Sequence, residues 1–215
     1  MTRFGGKMSK LDCRVLGMIS TNCYLFAKND ENDCIIVDPA DRADVITQMI
    51  ESNKKNPAAI LLTHGHFDHI GAVEELRKKY NLKVYAAKAE KDVLESPYKN
   101  LSSEYGLDYK INADVYLEDG EEFEVAGLKI KAILTPGHTI GGMCFYIEEE
   151  SVMFTGDTLF YESVGRTDFP TGNMSSLVRE VKSKLFVLPD ETICYPGHGQ
   201  ETSIMHEKVY NPFIY

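Results

Sequence analysis

No stretch of this 215-residue chain approaches the ~20 consecutive apolar residues that a membrane-spanning helix needs, which excludes that class. Nor is there a basic block. The formal net charge is −10, so a nucleic-acid partner is not expected. A Cys-x-x-Cys pair is also missing. Cys13, Cys23, Cys34, Cys144 and Cys194 are odd in number and scattered, and Cys34 and Cys194 fall inside apolar runs. Free cysteine in such runs behaves as a small hydrophobe, so all five read as reduced structural thiols in a cytoplasmic protein. The opening Met1-Thr2-Arg3-Phe4-Gly5-Gly6-Lys7 lacks the apolar centre of a secretory signal. Residues 1–9 are expected to be a disordered extension on a single domain spanning 1–215. No internal repeat is visible.

What is present is concentrated in Leu61-Leu62-Thr63-His64-Gly65-His66-Phe67-Asp68-His69. Three imidazoles and a carboxylate crowd together directly behind the apolar run Ala58–Leu62. Neutral nitrogen and carboxylate oxygen donors at this density point to a metal. A surface cluster of solvated histidines is the alternative, but solvated polar runs rarely follow a buried strand. The run reads as a strand, the donors as a tight loop at its carboxyl end, and Ile70–Tyr80 as the following helix. His64 and His66 must lie on a turn, because a helix would point them ~200° apart.

Further donors follow the same local design. His138 stands in Thr135-Pro136-Gly137-His138-Thr139, Asp157 in Phe154-Thr155-Gly156-Asp157-Thr158, and His198 in Tyr195-Pro196-Gly197-His198-Gly199. Each occupies a Gly- or Pro-marked turn behind a strand-like run. Asp38, in Ile36-Val37-Asp38-Pro39, is either a turn aspartate or the partner of a ligand histidine's second nitrogen. Arg166 is a candidate anchor for a substrate carboxylate, or else an ion-pair partner of Asp168. His206 stands alone near the C-terminus and reads as solvated.

The remaining pattern alternates strands and helices. Strands are expected near Leu11–Leu16, Asn22–Ala27, Cys34–Val37 and Lys83–Ala86, with helices over Arg42–Asn53 and Lys88–Glu95. A meander is expected over Val115–Leu117, Glu122–Val125 and Lys129–Leu134, continuing through Gly142–Glu148 and Ser151–Phe154. A helix over Met174–Phe186, capped by Asn173, precedes a last strand at Thr192–Tyr195. Ser96–Ala113 and Leu159–Met174 resist assignment and are candidates to border a pocket.

The five motifs, in this order and spacing, resemble the metallo-β-lactamase superfamily. Gly156-Asp157-Thr158-Leu159-Phe160 and Gly165-Arg166-Thr167-Asp168-Phe169 are similar to its glyoxalase II-like (hydroxyacylglutathione hydrolase-like) branch. The resemblance implies an α/β fold, a four-layer αββα sandwich. It implies two divalent metal ions, zinc foremost with iron or manganese as alternatives. His64, His66 and His138 would hold one ion and Asp68, His69 and His198 the other, with Asp157 bridging.

It implies hydrolysis of a small-molecule thioester or related ester of the S-lactoylglutathione type, by attack of a metal-bound hydroxide that Asp68 orients. The glutathione-clamping C-terminal segment of glyoxalase II proper has no counterpart after His198, which points to a short-form enzyme of different thioester preference. Two other chemistries use the same fold. A persulfide dioxygenase would hold one iron through His64, His138 and Asp157, and a lactone hydrolase would reuse the hydrolytic centre. A monomer or homodimer without membrane partners is expected.

Overall fold

The computed structural model describes residues 10–28 and 31–214. The expected extension over residues 1–9 lies outside them.

Two six-stranded sheets are stacked face to face. The first contains β1 (Lys10–Leu16), β2 (Thr21–Ala27), β3 (Asp33–Val37), β4 (Asn56–Leu61), β5 (Lys83–Ala87) and β6 (Val115–Leu117), in that order. β1 to β3 are antiparallel, and β3 to β6 are parallel. The second sheet is built from β7 (Glu122–Val125), β8 (Leu128–Leu134), β9 (Met143–Ile147), β10 (Val152–Gly156), β13 (Ile193–Pro196) and β14 (Thr202–Ser203). A small hairpin, β11 (Leu159–Phe160) with β12 (Ser163–Val164), stands beside the second sheet.

Central strands are apolar throughout because both of their faces are covered. Along β2, Tyr24 and Phe26 point between the sheets, where they meet Val37, Leu61, Phe145 and Phe154. Cys23 and Leu25 point the other way. There they pack with Ile46, Met49 and Ile50 of α1 (Ala43–Asn53) and Val73 and Leu76 of α3 (Val73–Tyr80). The outer face of the second sheet, with Ile133, Cys144, Met153 and Cys194, is covered by Leu177 of α5 (Met174–Glu180), by Val181 and Leu185, and by Ile204. Helices, sheet, sheet and helices give the four layers that the resemblance implied.

Several expectations are corrected. The helix behind the histidine motif is not continuous over Ile70–Tyr80. It is split into α2 (Phe67–Ile70) and α3. The break is a docking point: Gly71 and Ala72 donate backbone N–H bonds to Ala40 and Pro39 carbonyls, and a Cβ on Gly71 would lie 2.4 Å from the Ala40 oxygen. Asp68 and His69 therefore ride on a helical turn, not on the loop. β6 is not the start of the meander. It pairs with β5, and Asp119-Gly120 carries the chain across to the other sheet.

The Lys88–Glu95 helix is a 3₁₀ turn at Lys88–Glu90 leading into α4 (Lys91–Leu94). Asn173 caps α5, its Oδ1 accepting the Ser176 N–H, but the helix widens into a π-turn over Val181–Leu185. A final helix, α6 (Ile204–Tyr210), was not anticipated. Ser96–Ala113 includes a 3₁₀ turn at Ser102–Tyr105, and Tyr105 stacks on Phe67 at 4.3 Å. Among the described residues no helix is long and apolar enough to cross a membrane.

Candidate metal centre

The motifs converge on one edge of the sandwich. The loop after β4 carries His64 and His66, α2 carries Asp68 and His69, and the β8–β9 loop carries His138. Asp157 follows β10 and His198 follows β13, and these two strands run parallel, so both end at this edge. The two sheets are tied together here. Asn22 Nδ2 donates to the Pro196 and Gly199 carbonyls, and the Tyr24 hydroxyl donates to Pro196 at 2.6 Å.

Three groups of donor atoms lie close enough to share a cation: His64, His66 and His138; His64, His69 and Asp157; and Asp68, His69 and His198. His66 Nδ1 is 3.1 Å from His64 Nε2 and 2.9 Å from His138 Nε2. Asp157 spans the groups, with Oδ1 3.5 Å from His69 Nε2 and Oδ2 3.5 Å from both His138 Nε2 and His198 Nε2. Gly197 leaves the room this needs, since a Cβ there would sit 2.3 Å from Asp157 Oδ1 and 2.6 Å from His69 Cε1.

The imidazoles are aimed from behind. His69 Nδ1 is 2.9 Å from Asp38 Oδ2, His138 Nδ1 is 2.7 Å from the Arg166 carbonyl, and His198 Nδ1 is 3.3 Å from the Ser20 carbonyl. His64 Nδ1 lies 3.2 Å from the Thr63 hydroxyl, which itself donates to Asp38. A carbonyl or carboxylate behind a ring holds the proton on the rear nitrogen and leaves the inward nitrogen a bare acceptor. Acceptors then face acceptors. His69 Nε2 and Asp157 Oδ1 are buried without a hydrogen-bond partner. Orphaned buried acceptors of this kind are costly in an ion-free protein and are satisfied by a cation, so the donor set fits divalent metal ions.

Burial, reinforced by the neighbouring imidazoles, holds the pKa values of His64 and His66 well below the ordinary histidine value, and burial lowers His138 as well. Burial also opposes charge on His69, but Asp68, Asp38 and Asp157 crowd around it and raise its pKa in the ion-free protein, the same negative field that would hold a divalent cation. For Asp68, burial would raise the pKa. His69, His198 and the Thr21 hydroxyl, 2.6 Å away, hold it below the usual carboxylate range instead. The centre opens to solvent on the side of His198, whose side chain is 25% exposed against 0% for His69. A shallow cleft beside Asp68 is lined by Gly17, Met18, Phe67, Leu107 and Tyr109.

Arg166 does not reach into the centre. Its guanidinium is bonded to both oxygens of Asp168 and lies 4.5 Å over the Phe169 ring, which itself packs against His66 and His138. Its carbonyl, not its side chain, touches a site histidine. His206 is not a solitary solvated residue. It stacks between Tyr161 and Tyr210, with Nε2 3.0 Å from Glu162. The roles of Thr21 and of the Arg166 carbonyl carry no sequence signal, whereas Thr63, beside the motif, could have been noticed. All five cysteines are free, with Cys13 partly buried and the rest buried.

The chain belongs to the metallo-beta-lactamase superfamily, whose family model matches residues 16–198. It is a metal-dependent hydrolase of that superfamily. It is similar to the probable metallo-hydrolase YqgX of Bacillus subtilis, at 36% identity over 93% of this chain and 94% of that protein. It is equally similar to the hydroxyacylglutathione hydrolase GloC of Haemophilus influenzae, at 36% identity over 90% of this chain and 92% of that one. Among solved structures, BLEG-1 B3 metallo-beta-lactamase superposes with a TM-score of 0.90 at 36% identity, covering 95% of this chain and 99% of that one. TTHA1623 in a di-iron-bound form superposes with a TM-score of 0.83 at 34% identity, covering 94% and 99%.

Proposed function

We propose that this chain is a binuclear hydrolase of thioesters or related esters, of the S-lactoylglutathione type. The observation that carries the reading is Asp157, whose Oδ2 lies 3.5 Å from both His138 Nε2 and His198 Nε2 and whose Oδ1 lies 3.5 Å from His69 Nε2, so that one carboxylate reaches both groups of donors. His64, His66 and His138 would hold one ion, and Asp68, His69 and His198 the second. Imidazole and carboxylate suit zinc, the ion we propose, as well as iron or manganese. Bound divalent ions supply Lewis acidity toward a substrate carbonyl and water that is nucleophilic near neutral pH.

The chain's own groups account for the rest. Asp68 Oδ2 accepts the Thr21 hydroxyl, which fixes the carboxylate and leaves Oδ1 to orient an attacking water by accepting its hydrogen bond. A thiolate leaves without a strong acid, so the reaction asks no proton donation of Asp68. Phe160, 6.2 Å from the His198 ring, and Phe169 give the opening apolar walls. Arg166 stands at the rim with its fork committed to Asp168, so a substrate carboxylate would have to compete for it. The likeness to GloC supports a thioester substrate. Five free cysteines accord with a reducing, cytoplasmic setting.

The test is a side-by-side assay of the metal-loaded protein with S-lactoylglutathione, a lactone and glutathione persulfide. Thioester cleavage without oxygen uptake is expected. Oxygen consumption with the persulfide and no cleavage would replace hydrolysis with persulfide oxidation.

A further inference from the structure

Glu90 is fully buried at the joint between the 3₁₀ turn and α4, and none of the motifs involves it. Its Oε1 accepts the Gly65 N–H at 2.8 Å, and its Oε2 accepts the Gly141 N–H at 2.7 Å. Gly65 separates His64 from His66, and Gly141 lies three residues beyond His138. These loops leave different sheets, one behind β4 and the other between β8 and β9. Among the described residues, Glu90 is the side chain bonded to both. No salt bridge to a cationic side chain offsets its burial in that set, and burial pushes it up to about 7, with the two N–H donors opposing. A buried carboxylate without a counter-ion is a costly device for joining loops. It is retained here at the point where His66 and His138 come within 2.9 Å of each other.

We propose that Glu90 is a positioning residue for the three-histidine group. Its two oxygens clamp the His64-Gly65-His66 loop to the His138 loop, so that imidazoles from separate sheets are preset at the spacing one divalent ion requires. The inference rests on the metal-centre reading above. A carboxylate suits the task because both of its ends accept. Glutamine presents an acceptor at one end and an NH₂ at the other, which would face a backbone N–H donor to donor. The Glu90→Gln variant keeps volume and shape while repelling one of the two loops.

The experiment is a cobalt(II) titration of EDTA-stripped protein, wild type against Glu90→Gln, following the visible d–d absorption and the competition with a chelator. Wild type is expected to fill both sites. In Glu90→Gln the affinity of the three-histidine group should fall about 10–100-fold, the range for groups that orient metal ligands. Its spectrum should change, while the Asp68/His69/His198 group keeps its affinity. Unchanged affinity and spectrum in a folded Glu90→Gln protein would overturn the proposal, even if its melting temperature fell. Failure of wild type to bind cobalt would instead overturn the metal-centre reading, and the proposal with it.

A second measurement needs no variant. In metal-free wild-type protein, the Gly65 and Gly141 amides should exchange with solvent at least ~100-fold more slowly than open-loop amides. Fast exchange at either amide would break the clamp.

Discussion

Asp38 accepts hydrogen bonds from the Thr63 N–H at 2.8 Å, from the Thr63 hydroxyl at 2.6 Å and from His69 Nδ1 at 2.9 Å, on a backbone held at φ 48°. Three donors converge on two carboxylate oxygens, and an amide cannot replace that set. In Asp38→Asn either the Thr63 N–H loses its acceptor, or the Thr63 hydroxyl and the His69 ring, which share Oδ2, lose theirs together and His69 is freed to change tautomer. Zinc affinity, read by chelator competition, is expected to fall about 10–100-fold while the protein stays folded. Undiminished affinity would show that the Asp38–His69 contact does not aim the ring. Asp38 was legible in the sequence as a carboxylate behind a strand. Which histidine it serves was not, because the separation of 31 positions from Asp38 to His69 is closed only by the pairing of β3 with β4.

At the scale of elements, the β11–β12 hairpin is held by a helix that sequence periodicity did not reveal. Glu207 of α6 accepts the Glu162 N–H through both oxygens at 3.1 Å and also accepts the Thr202 hydroxyl. One turn later, Asn211 Nδ2 donates to Glu207 and to the Ser163 carbonyl at 3.0 Å. The hairpin leads directly to Arg166, whose carbonyl stands behind His138. Glu207→Ala would strand these buried donors and is expected to lower stability by about 2 kcal/mol in urea denaturation. A loss under about 0.5 kcal/mol, the range of neutral surface changes, would mean that α6 is not the hairpin's anchor.

The element was missed for a physical reason. A seven-residue helix and strands of two residues are too short for periodicity to register. The Ile70–Tyr80 helix was misread for a different one: its break at Gly71 is imposed by the Pro39-Ala40 turn, a contact that local pattern does not contain.

Across the whole molecule, the donor motifs and most strands were legible because each lies where an apolar run meets a Gly- or Pro-marked turn. The stacking of two sheets was legible only through the resemblance. Pattern alone placed Val115–Leu117 in the wrong sheet, since a three-residue strand carries no mark of its partner. The architecture matters because neither sheet holds a complete centre. The first sheet and α2 bring His64, His66, Asp68 and His69, and the second brings His138, Asp157 and His198. The most direct test of two adjacent metal sites is the metal content of EDTA-stripped protein after zinc reconstitution and dialysis, measured per chain beside Asp157→Ala. Two zinc ions per chain are expected in the wild type and fewer in the variant. A single ion in the wild type, or two retained without Asp157, would contradict a shared two-metal centre.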